Sequence, residues 1–223
     1  MKLGVLFSGG KDSVYATYLS KKAGHKIECL ITINSENKES FMFHTPAIEK
    51  TKIQSEVMGI PLITKKTKGE KESELEDLEN AIKDAVKKYK IKGIVTGAIK
   101  SVYQASRIQE ICSRLNLECF NPLWQKDEKE YLKELIKENF KVIVDGVFAY
   151  PLDEKWVYRE IDKKFIEDIF KLNKKYKIHP AGEGGEYETF VFSCPLYKRE
   201  LKVLEKKIKK EGENSFRGEF EIG

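Results

Sequence analysis

The sequence predicts an α/β protein in which a parallel β-sheet forms the N-terminal domain. Short apolar stretches rich in β-branched residues alternate with longer amphipathic stretches as far as residue 125. This alternation is typical of βαβ units, whose strands run parallel and whose ligand sites lie at the carboxyl ends of the strands. After residue 125 the alternation stops, and the chain mixes helices, one clear strand and a polar tail. We therefore expect a larger domain at 1–125 and a smaller α+β domain at 126–223.

Five strands and four helices are expected in the first domain. The first apolar run, KLGVLF, meets the loop SGGKDS, and a helical pattern follows at once. Thr45-Pro46 has the form of an N-cap followed by a proline in the first helical turn. The predicted strands are 2–7, 27–33, 61–65, 91–99 and 118–124, and the predicted helices are 12–23, 46–58, 70–90 and 100–116.

The second domain is expected to open with a capped helix. Asp127 can cap a helix over 128–138, and Asp162 can cap another over 163–176. The stretch FKVIVDGVF, at 140–148, predicts a strand between them. A glycine- and glutamate-rich segment follows, and the tail at 198–222 alternates short β-like runs with polar turns. We expect this domain to bind the substrate.

Composition argues against a membrane or nucleic-acid partner. The chain has 223 residues, a formal net charge of +5 and 40% hydrophobic residues. No stretch approaches the roughly 20 apolar residues of a membrane span, and the start does not resemble a signal peptide, so we expect a cytoplasmic protein. Lysines are interspersed with glutamates, which is typical of a solvated surface and of heat-adapted proteins rather than of a stable nucleic-acid interface. The sequence leaves a homo-oligomer open.

The four cysteines are expected to be reduced and mostly buried. They are Cys29, Cys112, Cys119 and Cys194, and no pair forms C-x-x-C. The three histidines do not have zinc-finger spacing. The pattern therefore predicts neither a disulfide framework nor a structural metal.

The loop Ser8–Ser13 has the residues of an anion-binding site. Glycines allow the backbone to approach a phosphate closely, and a helix that starts at the loop adds the positive end of its dipole. Two serines can donate hydroxyl hydrogen bonds, and Lys11 supplies positive charge. Asp12 opens the helix and can help to hold a metal ion. The spacing matches neither a Walker A loop nor G-x-G-x-x-G.

The string SGGKDS, placed between a strand and a helix, resembles the pyrophosphate loop (PP-loop) of the ATP pyrophosphatases. That resemblance implies a Rossmann-like sheet of the HUP type. It also implies that ATP is cleaved between its α and β phosphates, with adenylation of a substrate oxygen and release of pyrophosphate.

Three further stretches are similar to the diphthine–ammonia ligase family. They are GAIKSVYQASR at 97–107, PLDEKWVYREID at 151–162 and GEGGEYETF at 182–190, and the segment at 40–45 also resembles that family. The resemblance covers most of the chain. It implies that the protein amidates the carboxylate of diphthine, a modified histidine of elongation factor 2, with ammonium and ATP, giving diphthamide, AMP and pyrophosphate. Mg²⁺ is expected as a cofactor.

The resemblance also implies roles for individual residues. Catalytic residues would be Lys11, Asp12, Glu183, Glu186 and Glu188, and Asp12 would contact the metal or position the loop. The acidic residues could capture ammonium, act as a general base or coordinate Mg²⁺, and the sequence does not separate these roles. The expected nucleotide-binding residues are Ser8, Gly9, Gly10, Lys11, Asp12, Ser13, His44, Gly97, Ser101, Tyr103, Gln104 and Arg107.

Three other functions stay open at this point. A tRNA-modifying member of the same superfamily would use the same loop, but thiolation needs paired or persulfide-forming cysteines. An ammonia-dependent synthetase could act on a small carboxylate metabolite. A sensor could bind ATP without cleaving it. Because no glutaminase domain is recognisable, we expect the nitrogen to come from ammonium rather than glutamine.

Overall fold

The chain forms two compact units, Met1–Trp124 and Gln125–Gly223, in a computed structural model. The structure describes residues 1–35, 48–68 and 73–223. His44 and the predicted cap at Thr45-Pro46 lie outside these residues.

The first unit is built on a five-stranded parallel sheet. Its strands follow the spatial order β3-β2-β1-β4-β5, and each hydrogen-bonded pair is parallel. The strands are β1 (Lys2–Leu6), β2 (Lys26–Ser35), β3 (Leu62–Thr67), β4 (Gly93–Val95) and β5 (Glu118–Phe120). The helices between them are α1 (Lys11–Lys22), α2 (Ile48–Met58), α3 (Ser73–Tyr89) and α4 (Val102–Arg114). This confirms the parallel sheet that the alternating pattern predicts and the Rossmann-like fold that the resemblance to ATP pyrophosphatases implies.

Apolar side chains of α3 and α4 cover one face of this sheet. Ile31 and Ile33 of β2 pack in one buried cluster with Leu78 and Ile82 of α3 and Ile111 of α4. The alternate residues of β2 point to the opposite face because successive strand side chains alternate. Since these are also buried, the sheet is covered on both faces, which is the rule for parallel sheets.

The strand order reverses between β1 and β4. The chain leaves β1 toward β2 on one side and leaves β4 toward β5 on the other. In open α/β sheets such a reversal opens a crevice at the carboxyl ends of the two strands, and ligands bind there. Ser8–Ser13 follows β1, and the segment at 96–101 follows β4. The topology therefore brings both predicted nucleotide loops to the same crevice.

The second unit has a four-stranded antiparallel sheet in the order β7-β6-β9-β8. Its strands are β6 (Lys141–Val147), β7 (Tyr187–Ser193), β8 (Val203–Gly212) and β9 (Ser215–Ile222), and its helices are α5 (Glu128–Lys137) and α6 (Lys163–Tyr176). Asp127 and Asp162 cap α5 and α6 as predicted, accepting hydrogen bonds from the amides of Glu130 and Phe165. This unit confirms the predicted smaller α+β part.

Three predictions of local structure differ from what is observed. The fourth and fifth strands are three residues each, shorter than the predicted 91–99 and 118–124. The run IVTGAI has the apolar residues of a strand, but β4 ends at Val95, and Gly97 packs against the first turn of α1 before the chain continues to α4. β7 was not predicted, because its sequence follows directly on a glycine-rich loop.

Among the described residues, no helix is both long and apolar enough to cross a lipid bilayer.

Candidate functional site

The loop after β1 is held in shape by its own two serines. The Ser8 amide donates to Ser13 Oγ at 3.3 Å, and the two hydroxyl oxygens lie 3.2 Å apart. Ser13 Oγ donates to the carbonyl of Gly10 at 3.1 Å, and the Gly10 amide donates to Ser8 Oγ at 3.4 Å. These bonds close the loop into a tight bend. Ser8 is exposed on this bend, so its hydroxyl and the neighbouring Gly10 amide can be reached from solvent.

Helix α1 begins at the end of this bend. Gly10 is its N-cap and provides no side chain to cap the first turn. The first turn carries Asp12, and the positive end of the helix dipole favours an anion at this position. Lys11 is 2% exposed, and its Nζ lies 3.0 Å from Asp12 Oδ2. Positive charge and a helix N-terminus therefore coincide where the sequence predicts a phosphate site.

Gly9 is required by backbone conformation and by space. Its φ is +79°, in the left-handed region, and a Cβ there would lie 2.2 Å from Gln54 Oε1. Gln54, on α2, is fully buried and donates from Nε2 to the Gly9 carbonyl at 2.9 Å. The loop is therefore clamped from α2 by a residue 45 positions away. Sequence reasoning missed Gln54, because a lone glutamine in an amphipathic helix carries no local signal.

The loop after β4 packs directly on the loop after β1. A Cβ at Gly97 would lie 2.8 Å from the Asp12 carbonyl carbon and 2.9 Å from the Ser13 nitrogen. Gly97 is one of the expected nucleotide-binding residues, and in the structure the backbone of α1 leaves no room for a side chain at this position. Thr96 Oγ1 lies 2.5 Å from Asn121 Oδ1, which ties this loop to the end of β5.

Helix α4 positions the other residues that were predicted to bind nucleotide. Ser101 is its N-cap and accepts from the Gln104 amide at 3.4 Å. Tyr103 is 36% exposed, with the Arg107 guanidinium 5.2 Å from the centre of its ring. Arg107 also lines a cleft between α3 and α4 together with Glu79 and Arg114. The structure places Ser101 at the crevice edge of α4 and Arg107 more than a helical turn further along.

The three predicted glutamates of the acidic segment at 183–188, in the second unit, have different surroundings. Glu188 pairs with Arg217 of β9, Oε2 to Nη1, at 2.6 Å. Glu186 Oε1 accepts from the His179 amide at 2.8 Å, whereas its Oε2 is buried and accepts no hydrogen bond from the described part of the chain. Glu183 lies in the same loop, and its amide donates to His179 Nδ1 at 3.3 Å. Glu186 thus presents a buried carboxylate oxygen with an unfilled acceptor position.

His179 organises this loop. Its Nδ1 accepts from the amides of Ala181 and Glu183, each at 3.3 Å, so the ring proton is on Nε2. Nε2 lies 3.4 Å from Glu128 Oε1 on α5. The loop also contains Gly182 and Gly185, at φ +69° and +81°. His179 and Arg217 are not among the predicted site residues. The Arg217 partner, Glu188, lies 29 residues away, and Glu128, which His179 Nε2 approaches, is also distant in the sequence.

Burial makes three of the cysteines poor nucleophiles. It raises the pKa of Cys29 to about 12 and that of Cys194 to about 12. A hydrogen bond between Cys112 and Cys119, together with burial, raises the pKa of Cys112, and the same bond lowers that of Cys119. Both belong to the core or pack against it.

No metal-binding cluster of three or more His, Cys, Asp or Glu side chains occurs in the described ranges. Magnesium ions in nucleotide sites commonly need one or two carboxylates, with phosphate oxygens and water completing the shell. Asp12, in the first turn of α1, fits that smaller requirement.

Comparisons with known proteins match both parts of the chain to domains of one family. A family model described as "Diphthamide synthase N-terminal domain" matches residues 1–119, and one described as "Diphthamide synthase C-terminal domain" matches 127–219. Proteins named diphthine–ammonia ligase from Bos taurus and Homo sapiens are each 34% identical over 91% of this chain and 83% of their own length. A crystal structure from Methanocaldococcus jannaschii, titled as a predicted subunit of tRNA methyltransferase, is 20% identical, covers 90% of this chain and 99% of its own, and has a TM-score of 0.44.

A Rossmann-like sheet with a crevice between β1 and β4, bordered by the loops that follow these two strands, is typical of the nucleotide-binding α/β class. Both family models match in order and together cover most of the chain. The chain belongs to the diphthamide synthase family. It is an ATP-using, amide-forming ligase.

Proposed function

We propose that the protein converts the diphthine carboxylate on elongation factor 2 to an amide, using ATP and ammonium through an acyl-adenylate. A carboxylate oxygen would attack the α-phosphorus of ATP, and the bond to the β-phosphate would break with release of pyrophosphate. Ammonia would then attack the acyl carbon, and the C–O bond to AMP would break. The products are diphthamide, AMP and pyrophosphate. The observation that carries the proposal is the packing of Gly97 against the Ser8–Ser13 loop at the reversal of strand order.

Adenylation explains why such a site needs an anion cradle. A carboxylate is a weak electrophile, because resonance and negative charge both oppose a nucleophile, and adenylation converts its oxygen into a leaving group. Negative charge builds up on the departing pyrophosphate, and preorganised donors stabilise it there. We assign this work to the hydroxyls of Ser8 and Ser13, the backbone at Gly9 and Gly10, and the charge of Lys11.

Asp12 is the residue that would hold Mg²⁺ at this site. Bound there, the ion would offset phosphate charge and favour departure of pyrophosphate. Asp12 would supply the protein carboxylate, and its Lys11 partner would remain close to the same phosphates. Tyr103, Gln104, Ser101 and Arg107 are assigned to nucleotide contacts from α4. His44 is assigned to the nucleotide by sequence resemblance alone.

Glu186 is the acidic-loop residue best placed to handle ammonium. Its buried Oε2 can accept a hydrogen bond from an N–H group, and deprotonation of ammonium to ammonia requires a base of this kind. Glu188 is paired with Arg217, so we assign it to joining β7 and β9 across β6. Glu183 stays a candidate for the same chemistry. The raised thiol pKa values of Cys29, Cys112 and Cys194 make these three residues poor candidates for reactive thiolates of the kind that tRNA thiolation or glutamine hydrolysis requires.

The test combines the protein with diphthine-bearing elongation factor 2, ATP, Mg²⁺ and isotopically heavy ammonium. We expect mass spectrometry to find one heavy nitrogen in the factor, with AMP as the nucleotide product. Glutamine supplied instead of ammonium should give no amide.

A matched reaction with unmodified factor is the control, and it should give neither labelled factor nor sustained AMP formation. AMP formation with diphthine-bearing factor that stays unlabelled would remove diphthine as the substrate. ADP as the product would remove adenylation as well.

A further inference from the structure

The loop that receives the phosphates depends on one buried amide from another helix. Gln54 lies in the middle of α2 and is fully buried. A buried amide side chain is costly unless it is hydrogen bonded, and Gln54 Nε2 donates to the Gly9 carbonyl at 2.9 Å. Thr51, one turn earlier on α2, is also fully buried, and its Cγ2 lies 3.4 Å from the position of a Cβ at Gly9. Helix α2 is therefore in direct contact with the bend.

The hydrogen bond fixes the direction of one peptide group. The Gly9 carbonyl and the Gly10 amide belong to the same planar trans peptide, so they point in opposite directions. With the carbonyl turned toward Gln54, the Gly10 amide is turned the other way, where it donates to the exposed Ser8 hydroxyl at 3.4 Å. Glycine at both positions leaves this peptide little intrinsic preference for one orientation.

A rotation of this peptide would reverse the charge that the loop presents. The carbonyl oxygen would then occupy the side on which the Gly10 amide now lies, and an oxygen dipole would face the phosphates. We infer that Gln54 is a positioning residue, which keeps the Gly9–Gly10 peptide oriented with its amide toward the pyrophosphate. This inference rests on the proposed function of the loop and adds a residue to it from outside the SGGKDS motif.

Calorimetric titration of the intact protein with inorganic pyrophosphate and, separately, with adenosine tests the inference. Gln54→Met removes the donor and keeps an unbranched side chain of similar size. We expect the affinity for pyrophosphate to fall about tenfold, as for a lost hydrogen bond to a buried carbonyl. Adenosine affinity should stay at the wild-type value, since adenosine has no phosphate to meet the loop.

Ser55→Ala is the matched control on the same helix. Ser55 Oγ donates to the Lys52 carbonyl at 2.7 Å, so this variant also removes a side-chain hydrogen bond from α2. It should leave both affinities unchanged. If Gln54→Met binds pyrophosphate as tightly as wild type, or if it loses adenosine and pyrophosphate equally, the inference is wrong.

Gln54→Glu decides the matter if Gln54→Met does not fold. A protonated carboxyl can donate to the Gly9 carbonyl, whereas an ionised one cannot, and burial raises a carboxyl pKa. Pyrophosphate affinity of this variant, divided by that of wild type at the same pH, should fall as pH rises. Lys11 and Asp12 are present in both proteins, so the ratio removes their titration. A ratio independent of pH overturns the inference.

Failure of pyrophosphate to compete with ATP for the wild-type protein would instead refute the proposed function, and this inference with it.

Discussion

At the scale of single residues, two glycines with the same backbone conformation have different surroundings. Gly9 and Gly24 have φ of +79° and +84°. A Cβ at Gly24 would meet nothing within 4 Å, whereas one at Gly9 would collide with Gln54. The left-handed backbone is shared by both positions, so the difference between them measures the contact between the loop and α2.

Alanine at these two positions should therefore have unequal effects. Gly24→Ala should lower the free energy of unfolding by about 1 kcal/mol, from backbone strain alone. Gly9→Ala should cost at least about 1 kcal/mol more, because Gln54 must move, and it should weaken ATP binding. Chemical denaturation and ATP titration of both variants give the comparison. Equal stability losses with unchanged ATP affinity would mean that the loop tolerates displacement of Gln54.

Replacement of Glu186 separates binding from chemistry. Glu186→Gln keeps an oxygen acceptor for the His179 amide and removes the charge. We expect ATP affinity and the first release of pyrophosphate to be unchanged, and amide formation to slow by about a hundredfold, as for loss of a general base. Single-turnover measurements of pyrophosphate and amide distinguish the two steps. Weaker ATP binding with normal amide formation would place Glu186 in the nucleotide site instead.

At the scale of elements, Ser101 combines a capping role with a proposed nucleotide contact. It caps α4 through the Gln104 amide, at the edge of the crevice. Asparagine and aspartate both cap helices well, but only aspartate adds negative charge. Ser101→Asn and Ser101→Asp should both stay within about 0.5 kcal/mol of wild type in stability. ATP affinity should fall roughly tenfold in the aspartate variant relative to the asparagine variant, through like-charge repulsion. Equal affinities would limit Ser101 to capping.

The Glu79 carboxylate, between α3 and α4, should make the free energy of unfolding depend on pH. Hydrogen bonds from Lys83 and Arg114 hold the pKa of Glu79 below its usual range. Because its pKa is lower in the folded state than in the unfolded state, its stabilising effect is complete above the unfolded pKa. The effect is lost as pH falls through the folded pKa.

Glu79→Gln should therefore reduce stability by less than about 1 kcal/mol near neutral pH, in keeping with a partly exposed ion pair. The difference from wild type should vanish in acid. Urea denaturation across pH checks this, with a matched Glu110→Gln variant as a control for removal of one surface charge. A stability difference that persists unchanged in acid would exclude the ion pair as its cause.

The elements that the sequence predicts best are those with local signals. The caps at Asp127 and Asp162 and the long helix α3 follow from side-chain chemistry and periodicity within a few residues. The end of β4 cannot be predicted from such local signals, because it depends on the contact of Gly97 with α1. β7 was missed for a related reason. Its pairing with β6 across the sheet makes it a strand, and a glycine-rich loop directly precedes it.

At the scale of the whole molecule, family and ligase class were predictable from the sequence because motifs such as SGGKDS and EGGEYETF are contiguous. The distant residues that hydrogen bond to these motifs were not predictable. Gln54 reaches Gly9 across 45 residues, and Arg217 reaches Glu188 across 29. Arg217 and Glu188 both lie opposite Gly146 in the sheet, whose missing side chain leaves room for the Phe148 ring beneath the Arg217 guanidinium. Such contacts depend on the fold, so single-sequence patterns do not carry them.

The central claim is that the Ser8–Ser13 loop holds the departing pyrophosphate while a carboxylate oxygen is transferred to the α-phosphorus of ATP. The most direct measurement uses diphthine-bearing elongation factor 2 whose diphthine carboxylate carries heavy oxygen, with ATP, Mg²⁺ and ammonium, and analyses the nucleotide by mass spectrometry. Acyl-adenylate formation predicts AMP that contains one heavy oxygen on its phosphate, in amounts equal to the amide formed. Unlabelled AMP, or label in inorganic phosphate together with ADP, would contradict the account.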